Sequence, residues 1–330
     1  MLRWAGTIVA VGLMALLGRQ AADALDLSCN NNLVSYWGQN IYKFKHNATG
    51  EQGLDYYCEN NPSEDILVVS FLNTYDPMII NLSDHCYEFF NDTKLLNCPK
   101  VGEQIKKCQS LGKTVLLSMG GQEGEYRLTS EQQGKRVAQE IWDMFLGGQG
   151  DTRPFGDAVL DGLDLDIEKN DAVGYTDFIK TMRDLYASDK NKKYYMAAAP
   201  LCHYPDLVMP MTYNEAWFDM IFVQFYNSPC GADNFGTQTF NFEMWDAWAR
   251  IYSVNKDVKV FLGLPSSEYA ALTGYVDADR MKHIVGDLQS TYSSFGGVML
   301  YDISESRPNG DYSKQAKDEM NRNANCGNSD

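Results

Sequence analysis

Asp161-Gly-Leu-Asp-Leu-Asp-Ile-Glu168 alternates acidic and apolar side chains. In an extended chain successive side chains take opposite faces. Asp164, Asp166 and Glu168 therefore share one face of a strand, and Leu163, Leu165 and Ile167 share the other. Asp161 has the other parity and belongs to the strand start. The apolar face calls for helices packed on it. The acidic face stacks carboxylates roughly 7 Å apart along the strand. Burying like charges together raises the pKa of at least one of them, and the shared protons belong to the cluster. A carboxylic acid that keeps its proton near neutral pH is what a general acid requires. Glu168 comes last, which puts it at the carboxyl end, where parallel α/β barrels carry their chemistry. A calcium loop is excluded, because the spacers are large and apolar and no glycine follows for the sharp turn. A solvent-exposed strand face is disfavoured by the hydrophobic strands elsewhere in the chain.

Those strands are read at 33–37, 66–72, 113–119, 158–168, 194–199, 220–225, 258–263 and 297–301. Several are continuous apolar runs of the kind that is buried on both faces. Helical stripes fall between them. Val137, Ile141, Met144 and Phe145 form one, stopped by Gly147-Gly148; Tyr175, Phe178, Ile179, Met182 and Leu185 form another. Phe242, Trp245, Ala249 and Tyr252 form a third, and Met281, Ile284, Val285 and Leu288 follow Asp277, a candidate cap. Eight strands alternating with helices predict a single-domain α/β fold, the closed (β/α)8 barrel. A doubly wound open sheet is the runner-up, but the glycine-rich phosphate turn expected after its first strand is missing. There is no G-x-S-x-G elbow, Walker loop or H-E-x-x-H. Ser118, before Gly120-Gly121, reads as a small residue at a strand end.

Export is written at the N-terminus. Met1-Leu-Arg-Trp, an apolar run from Ala5 to Leu17 and Ala22-Asp-Ala24 have the layout of a signal peptide over 1–24. The run is short for a membrane span and no second one follows, so 25–330 is expected as a secreted, extracellular domain. The net charge of −16 argues against nucleic acid. It suits a chain acting on something neutral, with no membrane partner and as a monomer. Eight cysteines after such a leader imply disulfides. A zinc site is disfavoured by the absence of C-x-x-C and by four scattered histidines; no metal and no cofactor are called for. Asn47-Ala-Thr, Asn81-Leu-Ser and Asn91-Asp-Thr are glycosylation sequons.

The stretch D-G-L-D-L-D-I-E resembles the DxxDxDxE signature of glycoside hydrolase family 18. Tyr36-Trp-Gly-Gln39, Phe71-Leu-Asn73, Leu117-Ser-Met-Gly-Gly121, Ala198-Ala-Pro200, Val223-Gln-Phe-Tyr-Asn227, Phe261-Leu-Gly-Leu-Pro265 and Gly296-Gly-Val-Met-Leu300 resemble class III chitinases of the hevamine type. These motifs run through nearly all of 25–330 in barrel order. The resemblance implies a β-1,4-linked N-acetylglucosamine polymer, chitin, as substrate, and catalysis assisted by the substrate's own acetamido group. Carried over residue by residue, it implies Glu168 as the acid, Asp166 as the orienting carboxylate, Asp164 as the group that tunes Asp166, and Tyr226 as donor to the acetamido carbonyl. Tyr36, Gln39, Asn73, Gly120, Gly121 and Gln224 are implied as sugar contacts. Where the family usually has tryptophan at the end of the last strand, this chain has Tyr301, a smaller ring face. The resemblance, with spacing, implies the bridges Cys58–Cys108, Cys86–Cys98 and Cys202–Cys230, leaving Cys29 and Cys326 to join the two ends. The competing functions are an endo-β-N-acetylglucosaminidase on N-glycans, a lectin or inhibitor on an inactive barrel, and a structural cell-wall protein. Retention of Glu168, Asp166 and Tyr226 disfavours the last two.

Overall fold

The computed structural model describes residues 25–47, 50–60, 63–169 and 172–327. The leader expected over 1–24 lies outside them. Eight parallel strands close on themselves: β1 (Asn32–Trp37), β2 (Ile66–Tyr75), β4 (Thr114–Gly120), β5 (Gly162–Asp166), β6 (Tyr195–Ala198), β7 (Met220–Gln224), β8 (Lys259–Pro265) and β9 (Phe295–Tyr301). Closure is made by β1, which pairs with β2 on one side (Val34 opposite Ile66) and with β9 on the other (Asn32 opposite Gly297). The remaining strand, β3 (Met78–Ile80), turns back antiparallel on the end of β2 and lies outside the ring. The chain is a single (β/α)8 domain.

Side-chain parity builds two cores. Leu163 and Leu165 of β5, with Val115, Leu117 and Met119 of β4, face outward into the layer between strands and helices. Val34, Tyr36, Val68, Leu116, Ala197, Phe222, Phe261 and Met299 fill the barrel interior. A register shift between Val69 and Leu72 of β2 re-aims its last residues, so Phe71 joins the interior. Such an irregularity at a barrel rim is a common way to redirect a side chain.

The helices follow the apolar stripes. α4 (Glu131–Phe145) starts at Ser130, whose hydroxyl accepts from the Gln133 N–H at 3.2 Å. α8 (Ala278–Thr291) starts at Asp277, which accepts from the Arg280 N–H at 2.8 Å; both are the side-chain caps that free helical N–H groups need. α5 (Tyr175–Ser188) and α7 (Phe242–Ile251) bury Phe178 and Trp245. Tyr252 does not continue the α7 stripe as expected: it follows the last helical turn and is exposed. α10 (Tyr312–Arg322) packs beside α8. Four disulfides join Cys29 to Cys326, Cys58 to Cys108, Cys86 to Cys98, and Cys202 to Cys230. The first ties the segment before β1 to the segment after α10. Asn47, Asn81 and Asn91 are exposed, although Ala48 and Thr49 of the first sequon lie outside the described residues. Among the described residues no helix is long and apolar enough to cross a membrane.

The acidic strand is shorter than its sequence pattern. Only Gly162–Asp166 is in the ladder, whereas 158–161 form its approach and 167–168 run on beyond it. The approach is anchored by side chains. Arg153 donates to the carbonyls of Asp143, Leu146, Gly148, Gly156 and Ala158. Asp161 accepts from the Val115 N–H at 2.7 Å and pairs with Lys192. Gly162 has φ +144°, and a β-carbon there would collide with the Tyr195 carbonyl. Gly162→Ala is therefore expected to cost at least about 1–3 kcal/mol, the usual cost of strained backbone. Thermal denaturation should show a clear fall in melting temperature; an unchanged melt would refute this reading of the β5 entry.

Candidate active site

Asp164 and Asp166 project from β5 into the barrel, and both are buried. Asp164 lies deeper. Its Oδ2 accepts two short hydrogen bonds of 2.6 Å, one from the Tyr36 hydroxyl on β1 and one from the Ser118 hydroxyl on β4. Ser118 is thus more than the small strand-end residue read from sequence. Its parity gives it away: two residues before Gly120, it shares the inward face. Burial pushes Asp164 up to about 6, even with these two donors pulling it down. Burial also holds the Tyr36 hydroxyl well above its ordinary value, with the neighbouring carboxylates adding to the effect, so it stays a donor.

Asp166 is one layer nearer the mouth. Its Oδ1 accepts from Gln224 Nε2 at 2.8 Å, and the same amide donates to the Ala199 carbonyl at 2.9 Å. Burial raises Asp166 well above the carboxylate range, and the charges of Glu168 and Asp164 push it further. Glu168, beyond the strand end and only partly buried, is raised by burial and lowered by hydrogen bonds from Asp166 and Gln224. The pair holds a shared proton into a range where an isolated carboxylate would have lost it.

The rim completes the site. Gly121 N–H donates to the Asp166 carbonyl at 2.7 Å, and a β-carbon on Gly120 (φ +109°) would strike that same carbonyl. These glycines let the end of β4 lie against the end of β5. Tyr226, two residues past Gln224 and buried, has its hydroxyl kept protonated by burial and by the nearby charges of Asp166 and Glu168. Tyr301 ends β9 with its ring edge-on to Tyr36 at 5.9 Å and its hydroxyl raised by burial. The side-chain oxygen Oδ1 of Asn73 is buried and has no partner among the described residues. Gln39 commits its amide nitrogen to the Ser70 and Asn81 carbonyls at 2.7 and 3.0 Å, so only its oxygen remains for a ligand.

Sequence reasoning passed over a second buried acidic group beside the rim. Glu51 accepts from the Gly38 N–H at 2.9 Å and meets His85 Nε2 at 2.8 Å; burial lifts it to about 8. Asp302, next to Tyr301, caps the helix that follows and is also pushed up to about 8 by burial. These carboxyls brace the loops after β1 and β9. Neither lies in an alternating strand pattern, so no periodicity singled them out.

Raised carboxyl pKa values make the fold pH-dependent. The folded state binds more protons than the unfolded chain, so this contribution favours folding most below the unfolded pKa. It is lost as pH rises through the folded pKa. For Asp164 the window runs from the ordinary value near 4 to about 6. Asp164→Asn should therefore melt higher, relative to the parent, at pH 7 than at pH 4. A difference in melting temperature that stays flat across that range would show that Asp164 is not raised.

The family profile described as Glycosyl hydrolases family 18 matches residues 32–319. Chitinase 2 of Rhizopus oligosporus is 41% identical over 94% of this chain; the match spans 56% of the Rhizopus protein, so the chain covers little more than half of that relative. Among solved structures, the ICChI chitinase from Ipomoea carnea superposes with a TM-score of 0.73 at 32% identity, covering 87% of this chain and 99% of that one. A xylanase-alpha-amylase inhibitor protein, solved with trehalose, superposes equally well, with a TM-score of 0.73 at 30% identity, over 87% of this chain and 98% of its own. With the profile spanning almost all of the barrel, the chain belongs to glycosyl hydrolases family 18.

Proposed function

We propose that the protein is a secreted chitinase that hydrolyses β-1,4-linked N-acetylglucosamine with retention of configuration, assisted by the substrate's acetamido group. The observation that carries this reading is the Asp164–Asp166–Glu168 series, which rises from two buried carboxyls to a partly buried one, with Asp166 and Glu168 both raised and sharing a proton. The fold alone does not decide, because an inhibitor protein shares it equally well. An inactive barrel has no need to keep a protonated acid pair at its mouth.

The steps follow from the contacts. The acetamido N–H of the bound sugar donates to Asp166, which favours the ionised form of that carboxyl. The shared proton then resides on Glu168, the outermost group. Glu168 gives it to the glycosidic oxygen as that bond breaks. The acetamido carbonyl oxygen attacks the anomeric carbon, and the positive charge of the resulting oxazolinium is stabilised by Asp166. Tyr226, a donor with a raised pKa, holds the acetamido oxygen in line. Asp164, held by Tyr36 and Ser118, sets the charge that Asp166 feels. Water, deprotonated by Glu168, then opens the ring from the opposite side. The ring of Tyr301 offers a floor for the sugar. Asn73, Gln39, Gly120 and Gly121 line its approach. The disulfides and exposed sequons fit an oxidising, extracellular setting.

Mass spectrometry of products from an N-acetylglucosamine hexamer, with a high-mannose glycoprotein in parallel, tests the substrate. Shorter chito-oligomers support the proposal, and a released N-glycan with an intact hexamer refutes it. Glu168→Gln should lower hydrolysis by at least roughly 10²–10⁴-fold, the usual worth of a general acid, while oligomer binding persists. A variant retaining half of the parental turnover would remove Glu168 from the role. NMR of the earliest product should show the β anomer, because two inversions occur; a mainly α product would exclude the mechanism.

A further inference from the structure

A groove of about 660 Å3 runs along the outside of the barrel between α8 and α10. That is within the usual range of ligand-sized clefts, about 300–1,000 Å3. α8 begins on the mouth side, after β8, and descends the barrel wall. The groove is lined by α8 from Lys282 to Ser290, with α10, and runs down to Asn30, just before β1, and Asn325, next to Cys326. It therefore opens at the end of the barrel opposite Glu168 and is no extension of the catalytic cleft.

Gly286 stands on its floor, inside α8. A glycine within a helix costs about 1 kcal/mol relative to alanine. At two other helical glycines the reason is contact: β-carbons on Gly102 and Gly134 would collide with the carbonyls of Phe155 and Gly174. At Gly286 the nearest atom is Glu319 Oε1, 3.8 Å from where a β-carbon would stand. Packing does not demand this glycine, and its effect is to keep the groove open.

Gln289 supplies the second observation. It is only 7% exposed and lines the groove. Its amide nitrogen is spent on the Asn30 carbonyl, the Asn30 side chain and the Met320 carbonyl. Its Oε1 is buried and has no partner among the described residues. A buried acceptor without a donor is costly unless something fills it. Lys282 is paired with Asp279 at 3.4 Å and Glu319 with Arg322 at 2.7 Å, so the lining offers no strong field to draw in an anion or a cation. What fits is a neutral ligand rich in hydroxyl and amide groups.

We propose that this groove is a second carbohydrate site that takes N-acetylglucosamine units of a separate chitin chain, with an acetamido N–H or hydroxyl donated to Gln289 Oε1. The inference rests on the chitin reading above for the identity of the sugar. A chain bound at each end would let the protein bridge two polymers.

Titrating Glu168→Gln with the N-acetylglucosamine tetramer tests it by calorimetry and NMR. Two sites are expected, and the backbone amides of Gly286 and Gln289 should shift with the occupancy of one of them. Gly286→Leu in the same background should weaken that site at least tenfold. Gly286→Ala, which adds only a β-carbon at ordinary contact distance from Glu319 Oε1, should keep it and melt no lower than its parent. A single site, or unmoved Gly286 and Gln289 amides, overturns the proposal; so does a second site that Gly286→Leu leaves unchanged. Wild-type hydrolysis of the same tetramer is read separately. Two sites without hydrolysis would refute the chitinase reading and leave the groove standing.

Discussion

Like-charged carboxyl groups buried along one strand cannot all ionise, and the centre of this molecule is arranged around that constraint. Each group has a different answer to it. Asp164 lies deepest and is given two hydroxyl donors, from Tyr36 and Ser118. Asp166 receives one amide, from Gln224, and shares a proton with the next carboxyl outward. Glu168 is only partly buried and can exchange that proton with a ligand or water. The gradient from held charge to mobile proton runs up the barrel toward the mouth, and it requires β1, β4, β5 and β7 to meet in fixed register.

The fold delivers that register through local devices. Gly162 and Gly120 admit neighbouring carbonyls that a side chain would exclude. Arg153 gathers the loop ahead of β5 by its carbonyls, and Asp161 ties the start of the strand to Val115. These contacts lie outside the catalytic chemistry, yet they decide where Asp164 and Asp166 point. Buried Glu51 and Asp302 do similar work for the rim loops that carry Gln39 and follow Tyr301.

Much of this is legible in sequence because it depends on parity. Alternation placed Asp164 and Asp166 on the interior face and Leu163 and Leu165 against the helices, and the same period of two accounts for Gln224 and Tyr226. Resemblance supplied what period cannot, the roles of individual groups and the pairing of cysteines. The misses have physical reasons. Parity puts Ser118 on the inward face, but its role depends on Asp164, 46 positions away, which the β4 segment by itself does not show. Strand β3 has only three residues, too few to show a period. Tyr252 fell on the stripe by spacing, but the helix had ended. Glu51 and His85 meet across loops, where no periodicity exists.

The proposed chemistry depends on the proton shared at the mouth of the barrel. Carbon-13 NMR of side-chain carboxyls, with Asp164→Asn, Asp166→Asn and Glu168→Gln used for assignment, measures it directly. Asp166 and Glu168 should titrate together, in two steps, with the upper step well above the ordinary carboxylate range near 4. Removing either should collapse the other to a single step. Two independent titrations near 4, unmoved by substitution of the neighbour, would contradict the claim that burial of like charges keeps an acid at this site.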